Sequence, residues 1–214
     1  MGERIRAFDW ARTPLGPIEA WPQSLKTAVD VILRSPLPLV TLWGRDGIMI
    51  YNDAYSVFAG GRHPHLLGSK VLEGWPEVAD LNRLAMEVGL RGETLSFRNE
   101  HLILYRPDRP PDVWVDLDYS PLLDETGTPA GVLAIVVETT ERVLAERALL
   151  ASETELRTFA AAMPHHVWAA KPDGKLDWFN DKVLEYTGLK PYVLHGDGWG
   201  QMVHPDDLGR ALEA

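Results

Sequence analysis

Two stretches of this 214-residue chain spell the same structural order. Trp43, Asp46-Gly47 and Tyr51-Asn52-Asp53 recur as Trp168, Asp173-Gly174 and Trp178-Phe179-Asn180-Asp181. The Asp-Gly pairs stand 127 residues apart and the Asn-Asp pairs 128 apart. Asp-Gly between apolar runs predicts a tight hairpin turn. An aromatic residue followed by Asn-Asp predicts a strand that ends on a helix cap. Each copy therefore opens a unit with strand, turn, strand, cap and short helix. A repeat at this distance limits the chain to two units of similar plan.

The first copy sits in a longer run of elements. Residues 1–24 hold Trp10, Pro14, Gly16, Pro17, Trp21 and Pro22, an irregular cap that must pack its indoles. Leu25, Ala28, Val29, Ile32 and Leu33 then form one apolar helical stripe. Ser24 is expected to cap that helix, and Ser35-Pro36 to end it. Strands are predicted at 39–43 and 48–51. A short helix follows Asn52-Asp53 through Phe58 and stops at Gly60-Gly61. Val78, Leu81, Ala85 and Val88 predict another amphipathic helix, closed by Gly89 and Gly92.

Three longer strands are predicted at about 93–105, 112–120 and 130–138. The second alternates Val113, Val115, Leu117 and Tyr119 on one face with Trp114, Asp116 and Asp118 on the other. The third is apolar from 131 to 137, as for a central strand covered on both faces. The order implies an α+β fold: a five-stranded antiparallel sheet with helices on one face and an N-terminal helical cap.

Residues 138–162 contain neither Gly nor Pro and are rich in Ala, Glu, Leu and Arg, which predicts a long linker helix. A heptad frame puts Leu149, Leu156 and Met163 at one seam position and Ala145, Ser152 and Phe159 at the other. Arg142 interrupts the frame. A parallel coiled-coil dimer and a solvated connecting helix both fit this pattern. The expected division is 1–35 cap and helix, 36–138 first domain, 139–162 linker and 163–214 an incomplete second domain.

Composition narrows the chemistry. With no cysteine there is no disulfide, no thiolate metal site and no cysteine-linked flavin. A net charge of −10 opposes nucleic-acid and anionic-membrane binding. No apolar run reaches the ~18 residues a membrane helix needs, and the first ten residues are no signal peptide. A cytoplasmic location is expected.

The segment "RDGIMIYNDAYSVFAG", the run "WVDLDYSPLLDETGTPAGVLAIVVETTER" and the closing Glu138-Thr139-Thr140-Glu141-Arg142 together resemble the PAS family of sensory domains. The family's closing motif usually reads Asp-Ile-Thr, so this chain departs mildly. A second resemblance begins near Leu156 and includes "WAAKPDGKLDWFNDKVLEYTG" and "GWGQMVHPDDLGRALEA", the start of a second PAS domain. "DWARTPLGPIEAWPQSLKTAVDVILRSPLPLVTLWG" resembles the start of bacterial PAS-containing sensor histidine kinases. The resemblance implies a sensory input region of a two-component, phosphorelay-type signalling protein. It senses a small-molecule ligand or a partner, and signals through a helical linker in a homodimer. The kinase output is expected beyond Ala214, so the fragment itself is no enzyme. A non-sensing dimerisation or adaptor module, and the input region of a diguanylate cyclase, are the alternatives. The cofactor is left open.

Candidate pocket walls are Trp43, Tyr51, Trp75, Phe97, Tyr105 and Trp114, because pockets are mostly apolar and aromatic. Leu149, Leu156 and Phe159 are the candidate dimer residues of the linker. His63-Pro64-His65 and His165-His166 lack the third and fourth ligands that a transition metal needs. Asp116 and Asp118 read as a solvated strand face, and His204-Pro205-Asp206-Asp207 as a helix start. No catalytic residue and no metal ligand is assigned.

Overall fold

The computed structural model describes residues 1–212 and divides into two units, Met1–Leu144 and Ala145–Ala214. The first opens with α1 (Gly2–Ala7) and α2 (Gln23–Arg34). β1 (Leu39–Trp43) and β2 (Ile48–Tyr51) lead to α3 (Asp53–Ala59), α4 (Val71–Gly74) and α5 (Ala79–Leu90). β3 (Leu95–Ile103), β4 (Asp112–Leu123) and β5 (Pro129–Glu138) complete one antiparallel sheet in the order β2-β1-β5-β4-β3.

The hairpin turn works because Gly44 and Gly47 take φ of +72° and +61°, the left-handed region. Gly47 is also held close: a Cβ there would stand 2.8 Å from Val71 Cγ1. Strand alternation then sorts the sheet into two faces. Val40, Leu42, Val132, Ala134, Val136, Val115, Leu117 and Tyr119 form an inner face under α3 and α5. Trp43, Thr41 and Leu39 of β1, with Ile48 and Ile50 of β2, point the other way and are buried too.

The N-terminal cap explains that second burial. Leu25, Val29 and Ile32 of α2 pack on β1 and β2. Trp10 and Trp21 meet edge to face at 4.9 Å, and their indole N–H groups donate to the Ile5 and Gly16 carbonyls at 2.7 and 3.0 Å. Two details depart from the sequence reading. Pro22, not Ser24, occupies the N-cap of α2, whose first turn has no side-chain cap. Gly89 lies inside α5 rather than ending it, because a Cβ there would overlap Val132 of β5. The helix crosses the sheet at a contact only glycine allows.

β3 carries a β-bulge between Phe97 and Glu100. The extra residue shifts the alternation by one, so Leu95 and Phe97 face inward on one side of it and Leu102 on the other. After β5, Thr139 is the single residue before α6 (Thr140–Ala162).

The second unit holds β6 (Trp168–Ala170) paired with β7 (Leu176–Phe179), then α7 (Asp181–Thr187), α8 (Pro191–Leu194) and α9 (Pro205–Leu212). Pro205 with Asp206 and Asp207 forms the first turn of α9, the helix start expected. The repeat is physical. Asn52 Nδ2 donates to the carbonyls of Ile32 and Leu37, and its Oδ1 accepts from the N–H of Leu39. Asn180 Nδ2 donates to Ala160 and His165, and its Oδ1 accepts from Val167. The sequence separations are 20, 15 and 13 in both cases. In each unit one Asn ties the end of the preceding helix to the start of the first strand; Asn52 also caps α3 through its side chain, whereas Asn180 makes no side-chain cap on α7.

Candidate functional site

The aromatic wall of the first unit follows from the cap on α3. Asn52 Oδ1 accepts from the N–H of Tyr55 at 2.9 Å and so sets the helix phase. Tyr55 and Phe58 then face inward with Tyr51. Ring centroids run Tyr51 to Tyr55 at 5.2 Å, Tyr55 to Phe58 at 5.6 Å and Phe58 to Trp75 at 6.0 Å. The Trp75 indole N–H donates to the Tyr55 hydroxyl at 3.0 Å. Tyr51 Oη lies 3.0 Å from His63 Nδ1. Arg62 stacks its guanidinium 4.5 Å from the Trp75 ring centre and pairs with Glu77 at 2.7 Å, closing the outside of this wall.

Burial governs the proton states here. Removal from water pushes the Tyr51 hydroxyl up to about 12, and raises Tyr55 and Tyr119 for the same reason. His63 is lowered, first by burial and then by the nearby Arg4 charge. On α5, Asn82 is buried and its Nδ2 finds no hydrogen-bond partner. A buried amide donor without an acceptor is uncommon and marks a polar point in an apolar interior.

Of the six candidate wall residues, Tyr51, Trp75 and Phe97 lie on the helix side of the sheet. Trp43 and Trp114 lie on the opposite face. Trp43 borders a groove with Pro22 and Leu25 of the cap, and Trp114 stacks on His101 at 4.5 Å. Tyr105 is 65% exposed in the loop after β3, where its N–H donates to Glu77. Tyr55, Phe58, Tyr119 and Asn82 were not among the candidates. Tyr119 was legible from the β4 alternation; the others depend on helix phase.

The outer face of β3 and β4 is held by charge. Asp118 accepts from Arg98 at 2.7 Å and Ser96 at 2.6 Å, which holds its carboxyl below the usual range, the Arg98 contact first. Asp116 Oδ1 accepts from the N–H of Asn99 at 2.7 Å. The two aspartates are thus engaged separately by different donors. Among the described residues no group of three or more His, Asp or Glu side chains converges as a metal site.

Where β5 passes into α6, several contacts meet. Arg106 is buried, donates to the Phe58 carbonyl at 3.0 Å and pairs with Glu138 at 2.9 Å. The Thr139 N–H donates to the Trp114 carbonyl at 2.7 Å, and the Trp114 N–H to Thr140 Oγ1 at 3.1 Å. Beyond its first turn α6 leaves the three candidate dimer residues open to solvent: Leu149, Leu156 and Phe159 are 64%, 67% and 68% exposed. No helix among the described residues is long and apolar enough to cross a membrane.

Comparison with known proteins agrees with this geometry. The family described as the PAS fold matches residues 34–144, 111 of the 214. A protein of Sinorhizobium fredii described as the uncharacterized protein y4lL is 37% identical over 78 residues, 36% of this chain. The match spans only 9% of that protein's length. The PAS domain of Bordetella pertussis BvgS shares 21% identity over 62% of this chain and 98% of its own, with a TM-score of 0.46. A sensory box sensor histidine kinase from Vibrio cholerae shares 18% over 55% of this chain and 93% of its own, with a TM-score of 0.37. With the five-stranded sheet, the inner helices and the match over 34–144 in hand, the chain belongs to the PAS-fold family of sensory domains.

Proposed function

We propose that this chain is the sensory input region of a two-component signalling protein. Its first unit takes a small, flat, largely apolar molecule between the sheet and α3–α5, and α6 carries the response as a parallel two-stranded seam between two copies. The observation that carries this reading is the junction after β5. One residue separates the domain from a 23-residue helix whose seam side chains Leu149, Leu156 and Phe159 lie open to water. Exposed leucines at heptad spacing lower their free energy by meeting a second copy.

The inner face supports the ligand half of the proposal. A ring wall supplies apolar contact, and Asn82 Nδ2 is a donor that a carbonyl or ring nitrogen of the ligand would satisfy. The proposed output is a histidine kinase outside this chain, on the resemblance of residues 9–44 to the start of such kinases. A second reading has its own support. Gly89 meets Val132 with no room for a methyl group, and such close packing suits an adaptor whose interior stays filled.

Sedimentation velocity of Leu149→Glu combined with Leu156→Glu tests the seam. Self-association is expected to weaken at least roughly tenfold, because two charges replace apolar seam contacts in each copy. An unchanged dimer in the double variant overturns the reading of α6. Native mass spectrometry of the purified chain separates the two interiors: a retained small molecule favours sensing, and the bare polypeptide mass favours the adaptor.

A further inference from the structure

Asn99 is the one non-glycine residue with positive φ among the described residues, at +50°. It sits in the β3 bulge, two residues after Phe97, whose cross-strand partner is the buried Leu117 of the inner face. Left-handed backbone at a non-glycine residue persists where the surroundings fix it, and bulges re-aim side chains. Here the aim is definite. Asn99 Oδ1 accepts from Thr139 Oγ1 at 3.0 Å and from Arg142 Nη2 at 2.9 Å. Its backbone N–H donates to Asp116, whose other carboxylate oxygen lies 3.9 Å from Arg142. Thr139 is buried, and its carbonyl accepts from the N–H of Val143, itself buried in the first turn of α6.

We propose that Asn99 is a positioning residue that latches the first turn of α6 to the bulge of β3, so that a shift at Phe97 on the inner face is felt at the root of the output helix. This rests on the reading of α6 as that helix. The edge strand is the natural sender, because β3 pairs with β4 alone and can move with little loss of ladder. Phe97 and Asn99 flank Arg98 within a single bulge, so an inward or outward step of the ring rotates the backbone that carries the acceptor oxygen. Losing that oxygen takes from buried Thr139 the acceptor of its hydroxyl and removes one tie between the bulge and Arg142, and the first turn of α6 loosens.

Amide hydrogen exchange, read by mass spectrometry on the whole chain, tests the latch. Asn99→Gly accepts the positive φ and removes only the side chain. It is expected to raise exchange over 143–147 roughly tenfold while leaving 113–119 of β4 unchanged. Asn99→Asp keeps an acceptor oxygen and is expected to stay near the parent rate. Thr139→Val is expected to reproduce the Asn99→Gly effect, and the pair to fall short of additivity because both remove one contact. Unchanged exchange over 143–147, or a rise shared equally with β4, overturns the proposal. A latch that fails in this way while the Leu149 and Leu156 seam still dimerises leaves the reading of α6 standing.

Discussion

At the scale of single residues, Asn52 does more than its place in the sequence announces. Asn before a short helix reads as a cap, and it is one. Its amide also donates to three carbonyls, of Ile32, Ser35 and Leu37, at 3.0, 3.1 and 2.7 Å. Those partners lie 15 to 20 residues earlier and no local pattern reveals them. Asn52→Ala leaves several buried groups unmet and is expected to cost about 2–4 kcal/mol in urea unfolding of the first unit. Asn180→Ala is expected to leave that transition alone. The buried tyrosines make a second residue-scale prediction. Their folded pKa values exceed the unfolded value near 10, so the associated stability is intact below pH 10 and is lost as pH rises through about 12. The urea midpoint is expected to fall between pH 9 and pH 11, and Tyr51→Phe to flatten that fall.

Among elements, the legible and illegible parts divide by range. The hairpin, the Asn52 cap, the helix stripe and the β4 alternation rest on residues within one turn or one strand, and the structure has each of them; the Ser24 cap expected on the same local grounds gives way to Pro22. The bulge in β3 rests on pairing with β4, so the residues 93–105 read as an unbroken strand. Gly89 read as a helix end for a similar reason: glycine is the local stop signal, yet here the demand comes from Val132 across the interface. Trp43 and Trp114 show the limit for the candidate site. Alternation puts Trp114 with Asp116 and Asp118, while the face on which Trp43 lies is decided by where the cap packs. Gly89→Ala is expected to destabilise the first unit by about 1–3 kcal/mol through overlap with Val132. Adding Val132→Ala is expected to recover part of that loss, which thermal melts of the three variants check.

For the whole molecule, the repeat is the organising fact. Two units open alike, each held by one Asn network of identical spacing, and α6 stands before the second as α2 stands before the first. On the proposed reading, α6 carries a change from the first unit as a seam between two copies. The absence of cysteine makes this directly measurable, since one introduced cysteine is unique. The measurement is oxidative cross-linking of Leu156→Cys against Thr154→Cys, a control about 200° round α6 from Leu156. A covalent dimer is expected from Leu156→Cys and little from Thr154→Cys. Equal yields from both, or none from Leu156→Cys, would contradict the shared seam.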